Sequence, residues 1–306
     1  IILIPIIVSL IIFTNIEIDE KEIKSVIIQP NIDPYNEKFN RSDEQNVKYL
    51  ESLLHDEKNR NSLVILPETY FSDGSLISSL NYSSLISKLN RIKDKYDTEI
   101  LAGIELYEVF NDPNKVKSYS NKIENNRWLD LFNASIFISD EIDIYKKSKL
   151  VVGIEKMPYK SFLEPLLGSL LMDFGGLSYS RGYQQYRTVF KSKKGTNIAP
   201  IICYESIYGE YVSDYVRNGA NLLAIVTNDG WWNNTEGHKQ HLSYARLRSI
   251  ETRKNIVRSA NTGISSVINY RGEIVKTIGY EKEGLINYNI GVNNIITFYT
   301  MYGDYI

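Results

Sequence analysis

The sequence holds a single cysteine, so no internal disulfide can form. It has no Pro/Gly/Ser-rich stretch that would serve as a linker, no low-complexity tract and no internal repeat. Its 306 residues, 43% of them hydrophobic, therefore read as one large domain able to bury a sizeable core. Charge of one sign is lacking too. Lysine and arginine number 35 against 37 acidic residues, a net charge of -2, and no basic stripe carries interleaved aromatics, which argues against a nucleic-acid partner. Tyrosine is abundant, at 23 residues, but decides nothing by itself. Long apolar runs are also scarce. The one candidate, residues 1–13, would span about 20 Å as a helix, short of the roughly 30 Å hydrocarbon core.

What is present starts with that lone thiol, in Ile201-Ile202-Cys203-Tyr204-Glu205-Ser206. The apolar run 197–202 reads as a buried strand ending at Cys203, and strand ends are where α/β enzymes gather their chemistry. Cys203 is therefore either a nucleophile or a small buried hydrophobe. Two other polar residues also stand where apolar strands end: Glu68 in Leu66-Pro67-Glu68-Thr69, and Lys147 in Tyr145-Lys146-Lys147-Ser148. A thiol needs a base to become a thiolate, which a carboxylate in a partly dry pocket can supply, and a lysine can stabilise a developing oxyanion. The three histidines read as surface or turn residues: His55 in a polar helix-like stretch, His238 and His241 in a Gly/Asn-rich turn leading into a helix. No Cys-His pair is favoured, and no metal or cofactor is implied.

The rest of the chain alternates strand and helix. Residues 25–29, 62–66, 99–104, 134–138, 197–202, 222–226 and 264–269 read as buried strands from their length and β-branched content. Residues 44–55, 83–96, 209–218 and 241–259 carry helical periodicity, the last with Arg246, Arg248, Arg253 and Arg258 as a solvated or ion-paired face. Such alternation predicts an α/β layered fold. Residues 1–14 could be the tail of a transmembrane helix, the apolar region of a signal peptide or a buried strand. The flank Glu17, Asp19, Glu20, Glu22 outweighs Lys21 and Lys24, which favours a membrane helix emerging on the non-cytoplasmic side. Residues 15–296 then form the catalytic domain. Residues 297–306, with an aromatic cluster of interfacial type, lead toward a further membrane helix.

Glutamate, lysine and cysteine, in that chain order and each after its own strand, resemble the triad of the nitrilase or carbon-nitrogen hydrolase superfamily. From about Val26 to Gly303 the chain is most similar to the apolipoprotein N-acyltransferase branch. The likeness runs through Val26-Ile27-Ile28-Gln29-Pro30-Asn31, the glutamate and lysine segments, Cys203-Tyr204-Glu205, Thr227-Asn228-Asp229-Gly230-Trp231-Trp232, Gln240-His241 and Arg258-Ser259-Ala260-Asn261-Thr262-Gly263. It departs once: Leu150-Val151 continues as Val152-Gly153-Ile154-Glu155, where the family usually has Pro-Phe-Gly-Glu, which keeps Glu155 but puts the shape of that loop in doubt.

The resemblance implies a four-layer α-β-β-α sandwich. It makes Glu68 the general base, Lys147 the oxyanion holder and Cys203 the nucleophile. Glu155 becomes a second essential glutamate, while Tyr204, Glu205, Asn228 and Trp231 shape the site or bind substrate. The implied reaction is a double displacement. Cys203 takes an acyl chain from a phospholipid, phosphatidylethanolamine in the first instance, and the thioester passes it to the α-amine of a diacylglyceryl-cysteine lipoprotein. The setting would be the bacterial inner membrane, with the catalytic domain on its outer, periplasmic face. Residues 162–177, apolar and glycine-punctuated, would be a loop that guides acyl chains, or else a buried helix. The rival readings are a nitrilase-type amidase acting on a small amide and a membrane-tethered protein that binds without turnover.

Overall fold

The computed structural model describes residues 3–15, 17–33, 41–151, 155 and 179–304. Residues 152–154 and the apolar segment 162–177 lie outside the described residues. In chain order the elements are α1 (Leu3–Asn15), β1 (Lys21–Gln29), α2 (Asp43–Leu54), β2 (Leu63–Ile65), β3 (Phe71–Leu76), α3 (Ser84–Tyr96), β4 (Glu99–Phe110), β5 (Asn121–Glu124), β6 (Arg127–Ile138) and β7 (Ile142–Lys146). Then come β8 (Phe190–Lys191), β9 (Asn197–Ile202), α4 (Gly209–Arg217), β10 (Leu222–Thr227), α5 (Glu236–Thr252), β11 (Ile256–Ala260), β12 (Ser265–Ile268), β13 (Ile274–Ile278), β14 (Gly284–Val292) and α6 (Phe298–Tyr302).

The strands make two sheets. One runs β14-β1-β2-β4-β6-β5, with β3 joined to β4 and β7 to β6; the other runs β13-β12-β11-β10-β9-β8. At the centre of each sheet the pairing is parallel: β1 with β2 and β2 with β4 in the first, β9 with β10 and β10 with β11 in the second. Central parallel strands are covered on both faces, which is why they read as unbroken apolar runs. Val47, Leu50 and Leu54 of α2 and Ile86, Leu89 and Ile92 of α3 recur at helical spacing and pack on Val26, Val64 and Ile100 on one face of the first sheet. The opposite face, through Ile27, Ile65, Leu101 and Phe137, meets Ile198, Ile225 and Val257 of the second sheet, with Val212, Tyr215 and Ala245 of α4 and α5 in the same cluster. The parallel strands thus end together, and the loops after β2, β9 and β10 share one rim.

The strands expected from the sequence are present. The helix expected over 241–259 is present only as far as Thr252: α5 spans Glu236–Thr252, ends where Arg253 turns left-handed at φ 54°, and is followed by β11. Residues 256–257 go into the second sheet beside β10 because a paired β-branched strand buries more there than another helical turn would. Of the two readings of the arginines, a solvated or an ion-paired face, the solvated one fails for three of the four, while Arg248 and Arg258 are ion-paired, with Glu251 and Asp229. Arg246 is exposed, but Arg248, Arg253 and Arg258 are buried. Arg258 is enclosed because its guanidinium has partners, Asp229 Oδ2 at 2.6 Å and the Ile264 carbonyl at 2.5 Å. His238 and His241 are likewise buried on α5 rather than exposed in a turn. The α1 helix is 13 residues long, with Leu3, Ile4, Ile7, Leu10 and Ile11 among its exposed side chains, and among the described residues no helix is long and apolar enough to cross a membrane.

Candidate active site

Glu68 follows β2 on a turn laid tightly against β4. Gly103 makes this possible: a Cβ there would sit 2.3 Å from the Thr69 nitrogen and 2.5 Å from the Pro67 carbonyl oxygen, which accepts the Gly103 N–H at 3.1 Å. Lys147 leaves the end of β7, its N–H donating to the Asn133 carbonyl on β6 at 2.8 Å. Its ammonium lies 2.9 Å from Glu68 Oε1 and 2.9 Å from Glu155 Oε2. Between the two carboxylates the Asn133 amide donates to Glu68 Oε1 at 2.7 Å and to Glu155 Oε1 at 2.9 Å. Glu155 Oε2 also takes the Val151 N–H at 3.0 Å, so Glu155 is seated despite the unusual residues before it. Asn228, directly after β10, donates its backbone N–H to Glu68 Oε2 at 3.1 Å.

Glu68, Lys147 and Glu155 are all buried, so their charges act in a poorly screened setting. Burial alone would discharge Lys147, but Glu155, Glu68 and the nearby Cys203 hold its pKa well above the usual lysine value. Burial alone would raise Glu155, yet Lys147, the Val151 N–H and Asn133 keep it below the ordinary glutamate value. The result is one fixed cation between two carboxylates.

Cys203 follows β9 directly, with φ 48°, in the left-handed region that a residue bearing a Cβ enters at a cost. Cys203 as a residue is buried. Burial and the Glu68 charge push its pKa up while Lys147 pulls it down, so the resting sulfur is a thiol whose ionisation depends on these neighbours. Glu205 is completely buried and clamps two strand ends together. Its Oε2 accepts the Ile202 N–H at 2.8 Å, and its Oε1 accepts the Ser148 N–H at 2.6 Å and the Tyr145 hydroxyl at 2.5 Å. Burial raises its pKa. Through it the residue before Cys203 and the residue after Lys147 are held by one carboxyl.

The other candidates are looser. Tyr204 is half-buried, its ring edge-on to Tyr208 at 5.4 Å, and Trp231 is exposed in the turn after β10. Asn228 reaches Glu68 through its backbone. Asn133 was missed by the sequence reading, and Asp229, His241 and Arg258, though they stand in segments that carry the family resemblance, were not seen as one buried group. The sign that found Glu68, a polar residue breaking an apolar strand, is also present in Phe132-Asn133-Ala134 and Val257-Arg258-Ser259. A shallow cleft opens at Glu68, lined also by Arg41, Thr69, Tyr70 and Asn261. Among the described residues no group of three or more His, Cys, Asp or Glu side chains could hold a metal ion. What the arrangement can do is acid–base and nucleophilic chemistry: a thiol, a carboxylate to take its proton, and an ammonium for an oxyanion.

Residues 27–298 match the carbon-nitrogen hydrolase family. Over 303 residues the chain is 29% identical to an apolipoprotein N-acyltransferase of Chlorobaculum tepidum, covering 96% of this chain and 56% of that protein. Over 282 residues it is 27% identical to one of Thermotoga maritima, covering 92% and 48%. The chain thus spans about half the length of the curated relatives it matches. Among solved structures it resembles a nitrilase-superfamily protein of Saccharomyces cerevisiae, with TM-score 0.61, 17% identity and 90% and 91% of the two chains covered. An amidase from Nesterenkonia gives 0.57, 14%, and 92% and 95%. At those identities the likeness is one of fold alone.

Proposed function

The chain belongs to the carbon-nitrogen hydrolase family, and from that premise we propose that it is the catalytic part of an apolipoprotein N-acyltransferase working through Glu68, Lys147 and Cys203. The observation that carries the reading is the Lys147 ammonium fixed between Glu68 and Glu155 beside a thiol on a strained strand-end turn. Its support is the sequence likeness to acyltransferases along nearly the whole chain.

Glu68 takes the Cys203 proton as the sulfur attacks the ester carbonyl of a phospholipid, phosphatidylethanolamine in the first instance. A C–S bond forms, and the carbonyl oxygen becomes an oxyanion that the Lys147 ammonium neutralises, an interaction of the kind worth about 10²–10³ in rate. Collapse breaks the ester C–O bond, and the lysophospholipid leaves with the proton from Glu68. In the second half the α-amine of a diacylglyceryl-cysteine attacks the thioester, a C–N bond forms as the C–S bond breaks, and Glu68 takes the amine proton and returns it to the departing sulfur, restoring the thiol. Glu155 keeps Lys147 charged and in place through both halves. Tyr204, Asn228 and Trp231 border the substrate, and Glu205 holds the nucleophile and lysine turns in register.

In this reading the apolar α1 helix and the aromatic α6 seat the domain on a membrane. The domain lies in that reading on the outer face of a bacterial cytoplasmic membrane, supported by the exposed apolar side chains of α1 and the acidic residues after it.

The test is incubation with phosphatidylethanolamine carrying a labelled acyl chain. The label is expected on Cys203, labile to hydroxylamine, absent in Cys203→Ala and transferable to a diacylglyceryl-cysteine peptide. A protein that takes no label but hydrolyses small amides is an amidase, and the acyltransferase reading falls.

A further inference from the structure

Behind the strained turn of Cys203 lies a chain of charged groups that the proposed chemistry does not use. The Cys203 carbonyl accepts the Ser206 hydroxyl at 2.8 Å and faces His241 Nε2 at 3.1 Å. Ser206 Oγ is itself 2.8 Å from the same Nε2. His241 Nδ1 lies 2.9 Å from Asp229 Oδ1, which also accepts the Thr227 hydroxyl at 2.8 Å. Arg258 holds Asp229 Oδ2 at 2.6 Å. His241, Asp229 and Arg258 are at most 3% exposed, and Gly263 leaves room for them, since a Cβ there would come within 2.5 Å of Asp229 Oδ2.

We propose that His241, anchored by Asp229 and Arg258, is a positioning residue for the nucleophile, fixing the Cys203 carbonyl and so holding the thiol toward Lys147 and Glu68. The inference rests on the reading of Cys203 as the nucleophile. Three ionisable groups buried together cost desolvation, which fold stability alone does not explain, because well-packed apolar residues often do as well. The left-handed φ of Cys203 would relax if its carbonyl were free to rotate, and the side chain would swing with it. The Ser206 hydroxyl donates to that carbonyl oxygen, and the His241 ring donates there too when Nε2 carries a proton, which opposes that rotation. Asp229 alone would oppose the thiolate, and Arg258 beside it cancels that charge.

Cys203 is the only cysteine, so iodoacetamide reports on it without ambiguity and needs no acyl donor. Two amides dissect His241. The asparagine amide stands near Nδ1, facing Asp229, while the glutamine amide reaches the place of Nε2, facing the Cys203 carbonyl. At neutral pH His241→Asn is expected to slow alkylation of the folded protein about tenfold or more, a loss the size of one hydrogen bond to this carbonyl, while His241→Gln stays within about threefold of wild type. A merely structural histidine would lower the melting temperature of both variants and leave both rates alike, and equal rates overturn the proposal. Should neither variant fold, Ser206→Ala, which removes only a hydroxyl from the same carbonyl, carries the test: a rate about threefold lower supports it and a wild-type rate sinks it. Acyl labelling is scored separately, so a failed brace with intact labelling leaves the acyltransferase standing, and a slowed alkylation without labelling does the reverse.

Discussion

At Lys147 one ammonium serves two carboxylates and a thiol, so removing it does two separable things. Lys147→Met is expected to abolish acyl labelling of Cys203. It also leaves Glu68 and Glu155 buried with only the shared Asn133 amide between them, a fault of about 3–5 kcal/mol where buried charges lose their partner. The sign of the pH dependence distinguishes the two. In the wild type the depressed Glu155 contributes stability that is complete above its ordinary value of 4.5 and is lost as pH falls through the folded value. In the variant the uncompensated carboxylates would be raised instead, so stability is present in acid and lost as pH rises. Melting curves should therefore show Lys147→Met far below wild type at pH 8 and close to it at pH 4–5; a deficit independent of pH would contradict the charge argument. Glu205→Gln makes a contrasting case at the same scale. Its acceptors face N–H groups from Ile202 and Ser148, so turning one oxygen into an NH₂ sets donor against donor. Denaturant titration should read a loss of about 1–3 kcal/mol.

Among the elements, α2 starts under electrostatic tension. Asp43, its first residue, accepts the Ser72 N–H at 2.8 Å but is buried beside Asp73, and burial followed by that like charge pushes its pKa to about 6. A raised carboxyl contributes stability below its unfolded value of 3.8 and loses it as pH rises through about 6, so at neutral pH this helix start is penalised. Asp43→Asn keeps an acceptor for Ser72 and removes the charge. It should stabilise the protein by about 1–2 kcal/mol at pH 7 and by nothing near pH 3.5, as read from denaturant midpoints at the two pH values. The elements differ in how legible they were. The run Ile198-Ala199-Pro200-Ile201-Ile202 is enclosed on both faces, so its apolar character announced strand β9, and Cys203 stood out at its end. The end of α5 was hidden, because Ile250, Ile256 and Val257 keep a helix-like spacing through the left-handed Arg253, where neither glycine nor asparagine marks a stop. The pairing of Arg258 with Asp229 was unreadable for another reason: Arg258 interrupts an apolar strand as Glu68 does, but the two are 29 residues apart and become partners only when β10 and β11 lie side by side. Glu68, Lys147 and Cys203 were legible because all three interrupt apolar strands, whereas Asn133 sits mid-strand in β6 and gave a fainter sign of the same kind.

In the molecule as a whole, a large unmet demand among the described residues lies outside the core. Leu3, Ile4, Leu10 and Ile11 on α1 are each more than half exposed, and α6 adds Phe298, Met301 and Tyr302 in the same condition. Apolar surface on this scale is seldom left in water, at about 25 cal/mol for each Å² it could bury. The α1 helix meets the domain lightly, Phe13 lying 5.7 Å under the Arg271 guanidinium, while Glu68, Lys147 and Cys203 are held by contacts from β2, β6, β7 and β9 that α1 does not share. Removing residues 1–15 should therefore leave the melting temperature within a few degrees and the alkylation rate of Cys203 unchanged, while co-sedimentation with phospholipid vesicles falls about tenfold or more, as loss of one apolar anchor requires. Acyl labelling from a donor embedded in vesicles should fall with it, and labelling from a donor dispersed in detergent should not. If the shortened protein still sediments with vesicles as the full chain does, the apolar face of α1 is not what holds this domain to lipid, and the α6 aromatics become the surface to cut next.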